Sequence, residues 1–261
     1  MMNICKKYYK DYFSIGPDIG STKKIVYTNI KHGDNKDVIE VRNNKIIEHR
    51  NISNIYNCSN LEQSFRMKVD YPGLITGIGI NHEMGIEGEF KLGMHFDYTT
   101  GMPIVYGSSV KGVLSDYFLE FFDEWAESIG FNKDSINKNA LLFDIFGENA
   151  KHDNTKYTSK SIYKRDIFFD AVIVEANSNG RILDKDSITP HNENPLKNPT
   201  PLTFLKIASG CTIEFRLKLH NSVIESVEFT TVNKISLFKY ILSEVGIGAK
   251  TNVGYGQLSE L

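Results

Sequence analysis

An α+β fold built on an antiparallel sheet is predicted by three observations. The first is Phe65-Arg66-Met67-Lys68-Val69-Asp70, where apolar and charged residues alternate with the period of a half-buried strand. The second is an apolar stripe at helical spacing, Val113, Leu114, Tyr117, Phe118, Phe121, Phe122 and Trp125, behind the start Gly107-Ser108-Ser109. The third is another helical run over 232–245, set between β-type runs at 211–219 and 255–258.

The elements follow in chain order. Residues 1–62 read as a peripheral N-terminal extension: a short helix over 1–13, then β-type residues at 24–28 and 38–42 around His32-Gly33-Asp34-Asn35, which together suggest a small hairpin. A main domain, 63–261, opens with the strand at 64–70. A glycine-punctuated insertion over 71–106 follows, with a short strand expected at 89–96. A serine at the N-cap satisfies free backbone donors, so the long helix is expected to start at Gly107-Ser108-Ser109. Its outer face carries Asp116, Glu120, Asp123, Glu124 and Glu127, which reads as a solvated face or as a docking face for a protein neighbour. A shorter segment, 140–146, stops at Gly147 in the C′ position. A second insertion, 147–210, holds a polar, basic stretch at 151–165, a strand at 166–175 and an excursion rich in Asn and Pro at 177–201. With the strand at 211–219, the helix at 232–245 and a last strand at 255–258, the core order is β-α-β-β-α-β. That is the ferredoxin-like, or RNA-recognition-motif-like, arrangement: an antiparallel sheet with two helices on one face.

Composition narrows the function classes. A chain of 261 residues can bury a sizeable core. No apolar stretch approaches the roughly 20 residues that span a bilayer, and the N-terminus has no signal-peptide pattern, so the expectation is a cytoplasmic protein with no membrane partner. Cys5, Cys58 and Cys211 are widely separated and form no Cys-x-x-Cys pair, so they read as reduced thiols rather than staples or zinc ligands. A net charge of −2 argues against nonspecific coating of nucleic acid, but the charge is unevenly placed: +4 over 1–70, −8 over 71–150 and +2 over 151–261. Such a division suits a protein that grips a polyanion on one side and meets protein neighbours on another.

The densest signal lies near the end of the chain. Gly246-Ile247-Gly248-Ala249-Lys250-Thr251-Asn252-Val253-Gly254-Tyr255-Gly256 sets glycines around one lysine. Glycine accepts positive φ and lets another backbone approach, so the loop can aim N–H groups at an anion while Lys250 adds charge. It is neither a P-loop nor a dinucleotide fingerprint, since Thr251 stands where the latter needs its third glycine. A phosphate cradle and a tight turn between helix and strand both remain open on this loop alone.

Three segments together resemble a known family. Thr76-Gly77-Ile78-Gly79 and Gly101-Met102-Pro103-Ile104-Val105-Tyr106-Gly107-Ser108-Ser109-Val110-Lys111-Gly112 resemble the signature of the RAMP proteins, the repeat-associated subunits of CRISPR effectors. The terminal glycine-rich loop resembles their other hallmark. Asp186-Ser187-Ile188-Thr189-Pro190-His191 and Pro199-Thr200-Pro201-Leu202-Thr203-Phe204-Leu205 are similar to a pattern of the sixth subunit of the Cmr, type III-B, complex. Tyr106 stands where the family usually has proline, and Asn192 follows His191 where tyrosine is frequent. The resemblance covers about 64–261. It implies a structural, noncatalytic RNA-binding subunit of an antiviral ribonucleoprotein, with guide CRISPR RNA, target RNA and other Cmr subunits as partners and no cofactor.

Candidate sites follow from these segments. Ser108, Ser109 and Lys111 sit at an expected helix N-terminus, where backbone donors, the helix dipole and the lysine favour phosphate; the alternative is a cap beside a solvated lysine. Gly248, Lys250, Thr251, Asn252 and Gly254 form the second site, and the two are expected to meet on neighbouring phosphates. Lys151, Lys156, Lys160, Lys164 and Arg165, interleaved with Tyr157 and Tyr163, suit single-stranded RNA or a solvated loop. His191, with Asp186, reads as an RNA-contacting loop or as a subunit contact; no nucleophile is placed to complete a catalytic set. His82, Glu83 and Glu87 lack metalloprotease spacing and give no convincing metal or acid/base site. No catalytic and no metal-binding residue is therefore expected. The competing reading is a metal-independent RAMP-type endoribonuclease that processes guide precursors with His82 or His191.

Overall fold

The computed structural model describes residues 3–14, 35–50, 52, 63–147, 164–189 and 201–261. Helix α1 (Ile4–Tyr9) is capped by the Asn3 side chain, which accepts from the Lys6 N–H at 2.8 Å, and a 3₁₀ turn at Asp11–Phe13 extends it. Helix α2 (Lys36–Ile47) corrects the expected strand at 38–42. Its buried residues, Val38, Ile39, Arg42, Asn43, Ile46 and Ile47, recur every three to four positions, a helical stripe that the β-branched residues disguised. The rest of the expected hairpin, 24–28 and 32–34, lies outside the described residues. Tyr8, Tyr12, Val38 and Ile39 join the same buried cluster as the sheet.

Strand β1 (Gln63–Val69) keeps the period-two pattern: Phe65, Met67 and Val69 face the core while Arg66 and Lys68 face outward. The expected strand at 89–96 is absent, and only isolated bridges, Asn81 to Leu92 and Phe96 to Pro103, form there. Strand β2 (Ile104–Val105) leads into the long helix α3 (Gly107–Ile129), and α4 (Lys138–Phe146) ends at Gly147 with φ of 77°. The strand expected at 166–175 is split into β3 (Ile167–Phe168) and β4 (Ala171–Glu175) by a bend at Phe169-Asp170. The expected excursion contains a strand: β5 (Leu183–Ile188) runs antiparallel to β6 (Leu202–Ile207). Strand β7 (Thr212–Lys218), the hairpin β8 (Ser222–Ile224) and β9 (Val227–Phe229), helix α5 (Thr231–Val245) and strand β10 (Leu258–Glu260) complete the chain.

The main sheet has the order β10-β1-β7-β4-β2, antiparallel at each pairing, with β3 extending the β4 side along β7. The fold is therefore a mixture of helices and antiparallel sheet. At its centre Phe65 lies opposite Phe215, and the two rings stack at 5.0 Å. Helices α3 and α5 meet through Trp125, whose Nε1 donates to Ser236 Oγ at 3.0 Å, while Phe122 and Trp125 pack on Phe229. Strand β10 begins three residues later than expected, because Tyr255 and Gly256 are held in the preceding loop by bonds to Lys250 and Gly73. Among the described residues no helix is long and apolar enough to cross a membrane. Cys5 and Cys211 are buried free thiols, and Cys58 lies outside the described residues.

One buried ion pair ties the second half together. Lys234 of α5, 1% exposed, places Nζ 2.5 Å from Asp166 Oδ2 and donates to the His220 carbonyl at 2.7 Å. The other Asp166 oxygen accepts the His220 N–H at 2.8 Å. Removing one partner of such a pair strands a buried charge, so Lys234→Ala is expected to cost about 3–5 kcal/mol of stability. Urea denaturation measures this, and Lys234→Met combined with Asp166→Asn should lose less than Lys234→Ala alone.

Candidate nucleic-acid interface

The glycine loop is built by close backbone approach. A Cβ at Gly248 (φ 97°) would overlap the Ile75 carbonyl oxygen, and one at Gly256 (φ 75°) would overlap that of Ile247. The same contacts carry hydrogen bonds: Ala249 N–H to Ile75 O at 2.9 Å, Ile247 N–H to Gly256 O at 2.9 Å and Gly256 N–H to Gly73 O at 2.8 Å. Most donors of the loop are thus spent on its own structure, which supports part of the tight-turn reading. The N–H groups of Gly248, Lys250, Thr251 and Asn252 make no bond among the described residues. Lys250 sits at φ 61° and ψ 36°, the left-handed region that glycine or asparagine fills at least cost. Thr251 and Asn252 follow in a 3₁₀ turn that ends at Gly254 (φ 95°).

The start of α3 differs from the expectation. Its N-cap is Tyr106, whose side chain makes no capping bond, and Ser108 and Ser109 lie within the first turn. The cap comes from a distant residue: Asp170 Oδ1 accepts the Gly107 N–H at 2.7 Å. A carboxylate therefore already occupies part of the helix's positive end, and attraction for a further anion must come from side chains. They are present. Ser108 and Lys111 line a cavity of about 630 Å³ together with Arg165 and Lys218. Burial, then the Arg165 charge, holds the Lys111 pKa below the usual lysine value. A bound phosphate would relieve that crowding.

The two stations rest on different parts of the fold. The glycine loop packs on Gly73 and Ile75 and enters β10 at one edge of the sheet, whereas α3 leaves β2 at the other edge and packs on Phe168, Phe169 and Asp170. Between them runs a strip in which the His95 N–H donates to Thr76 Oγ1 at 3.3 Å and the His95 ring stacks on Tyr106 at 4.2 Å. Lys164 is exposed beside Arg165, while Lys160 and His191 lie outside the described residues, as do Lys151, Lys156, Tyr157 and Tyr163.

A RAMP superfamily model matches residues 66–259. The chain belongs to the RAMP superfamily. Among solved structures, a chain of a type III-B Cmr-beta complex bound to cognate target RNA matches at 19% identity and TM-score 0.50, covering 75% of this protein and 57% of that chain. The Cmr6 crystal structure from Pyrococcus furiosus matches at 18% identity and TM-score 0.37, covering 76% of this protein and 97% of Cmr6. Comparison with curated protein sequences gives no match.

In this RAMP protein Tyr106 holds φ at −59°, the angle a proline ring would impose, so the signature loop keeps the conformation that the usual residue provides. The tyrosine adds the stack on His95. Asp186 Oδ2 takes Lys206 Nζ at 2.5 Å and the Tyr255 hydroxyl at 2.9 Å, joining the β5–β6 pair to the glycine loop. His82 is buried between Phe90 O, 2.7 Å from Nδ1, and Tyr8 O, 2.8 Å from Nε2, with its ring stacked on Tyr8 at 3.8 Å. Glu83 and Glu87 pair instead with Lys91 and Lys36. These three do not form a joint site, and among the described residues no cluster of three potential metal ligands occurs. Asp170, Lys206 and Tyr255 brace these segments through partners far along the chain, and Lys218 lines the Lys111 cavity from β7, so no local pattern marks any of them.

The Asp186 contact carries a pH signature. Burial raises its pKa, but the bonds from Lys206, the Ser187 N–H and Tyr255 outweigh burial and the net direction is down. Tyr255 moves the other way, up to about 12, through burial and the Asp186 bond and charge. The carboxylate's contribution is therefore present above its unfolded pKa and lost as pH falls through the folded one. The tyrosine's is lost as pH rises from its unfolded value near 10 through about 12. Asp186→Asn should flatten the acid limb of a stability–pH curve below about pH 4, measured by chemical denaturation at stepped pH.

Proposed function

We propose that this RAMP protein is a noncatalytic RNA-binding structural subunit of a type III-B CRISPR RNA-guided effector complex. It holds the guide-RNA backbone for target-RNA recognition and docks on other Cmr subunits in the cytoplasm. The observation that carries this reading is Lys250. A lysine held in the left-handed region, in a loop that uses glycine at every other such position, is maintained against local strain, and its charge distinguishes it from the relaxed alternatives. Cationic Lys111, with Arg165 and Lys218 in one cavity at the far edge, supports the same polyanion. The signature segments and their similarity to the sixth Cmr subunit support the assembly. We read the core β1, α3, β4, β7, α5 and β10 as ferredoxin-like, since β1 and β7 lie at the centre of the sheet with β10 and β4 outside them. Phosphate contacts fix register without reading bases, which suits a subunit that must accept any guide.

Lys111→Ala combined with Lys250→Ala should weaken binding of a single-stranded guide-length RNA and lower the slope of log affinity against log salt by about 1.4, with the melting temperature kept as a fold control. Unchanged affinity and slope at matched salt would reject the reading. The noncatalytic half is tested separately: purified protein incubated with repeat RNA in EDTA should leave it intact. Fragments ending in a cyclic phosphate would establish the endoribonuclease alternative.

A further inference from the structure

We propose that Tyr71 and Tyr98 are base-stacking platforms, one beside each cationic station, for the nucleobases of a single-stranded RNA. This rests on the RNA-binding reading above and adds a second kind of contact to it. Among the described residues these are the two most exposed large hydrophobic or aromatic side chains, at 85% and 88%. Neither ring contributes to the core.

Both rings stand on braced backbone. Tyr98 rides a turn in which Asp97 Oδ1 accepts the N–H groups of Thr99 at 2.6 Å and Thr100 at 2.9 Å, and the Gly101 N–H closes on Asp97 O at 2.7 Å. Tyr71 lies between Asp70, whose N–H donates to Gln257 O at 3.0 Å, and Gly73, whose carbonyl accepts from Gly256 at 2.8 Å. With the backbone already braced, the loop under each ring need not be ordered when a base stacks on it.

Their positions follow the charges. Tyr71 is close enough to Tyr255 of the glycine loop to raise its pKa, and Tyr98 does the same to Tyr106 at the start of α3. Lys250 and Lys111 would hold phosphates at the two edges, and the bases of the same strand need apolar faces beside those phosphates. Tyrosine offers such a face to any base, so the contact tolerates sequence.

The test is fluorescence-anisotropy binding of the full chain to a single-stranded RNA and to an abasic phosphodiester strand of equal length. Tyr71→Ala and Tyr98→Ala should each weaken RNA binding about ten-fold without changing the salt slope. Tyr→Phe at either position should retain affinity, and wild-type protein should bind the abasic strand as weakly as the double alanine variant binds RNA. Alanine variants that bind like wild type, or equal affinity for abasic and normal strands, overturn the stacking role while leaving RNA binding intact. They would assign the rings to a protein neighbour. Absence of RNA binding by wild-type protein at low salt overturns both this and the reading on which it rests.

Discussion

The pairing of β1 with β7 is the constraint on which the rest depends. Its register sets Phe65 against Phe215 and fixes both flanks: β10 can only add outside β1, and β4 only outside β7. A one-residue slip would turn Phe65, Met67 and Val69 to the outer face and bring Arg66 and Lys68 into the core, so burial holds the register firmly. From that follows the placing of two segments: the glycine loop delivers the chain to β10, and α3 departs from β2, at opposite ends of the strand order.

Charge is paired differently over the surface. On the outer face of the central strands, Arg66 binds Glu214 at 3.1 Å and Glu214 binds Arg216 at 2.8 Å, so this surface neutralises itself. The acidic face of α3 is likewise partly matched, Asp123 by Lys138 and Glu127 by Lys133. The exposed pairs on α3 add little stability, whereas Glu214 and Arg216 are buried. By contrast, Lys111 is crowded by the like charge of Arg165 at the start of α3.

What the sequence made legible was whatever is local. The alternation of β1, the stripe of α3, the Gly147 stop and the span of α5 are each decided by residues within one or two turns of one another. Helix α2 was misread because Val38, Ile39 and Val41 favour strands, while the helical burial of Arg42, Asn43 and Ile46 depends on what packs against them. The β5–β6 hairpin was hidden by its Asn- and Pro-rich surroundings. The α3 cap was assigned to serine because Asp170 lies 63 positions away. For the candidate site, Lys111 and Lys250 stand out in their local sequence, whereas the residues that brace their segments, Asp170 for one and Gly73 and Ile75 for the other, lie far along the chain.

The glycine loop shows how the turn and cradle readings can both hold. Gly248 and Gly256 are required as glycines by the carbonyl oxygens of Ile75 and Ile247. That packing consumes the N–H groups of Ile247, Ala249 and Gly256 and leaves those of Lys250, Thr251 and Asn252 at the apex. A turn this tightly bonded can hold one lysine in the left-handed region, a conformation that a slack loop would relax. Rigidity on the packed side is therefore the physical condition for presenting charge on the open one, and the Asp186–Tyr255 bond extends that rigidity into the β5–β6 hairpin.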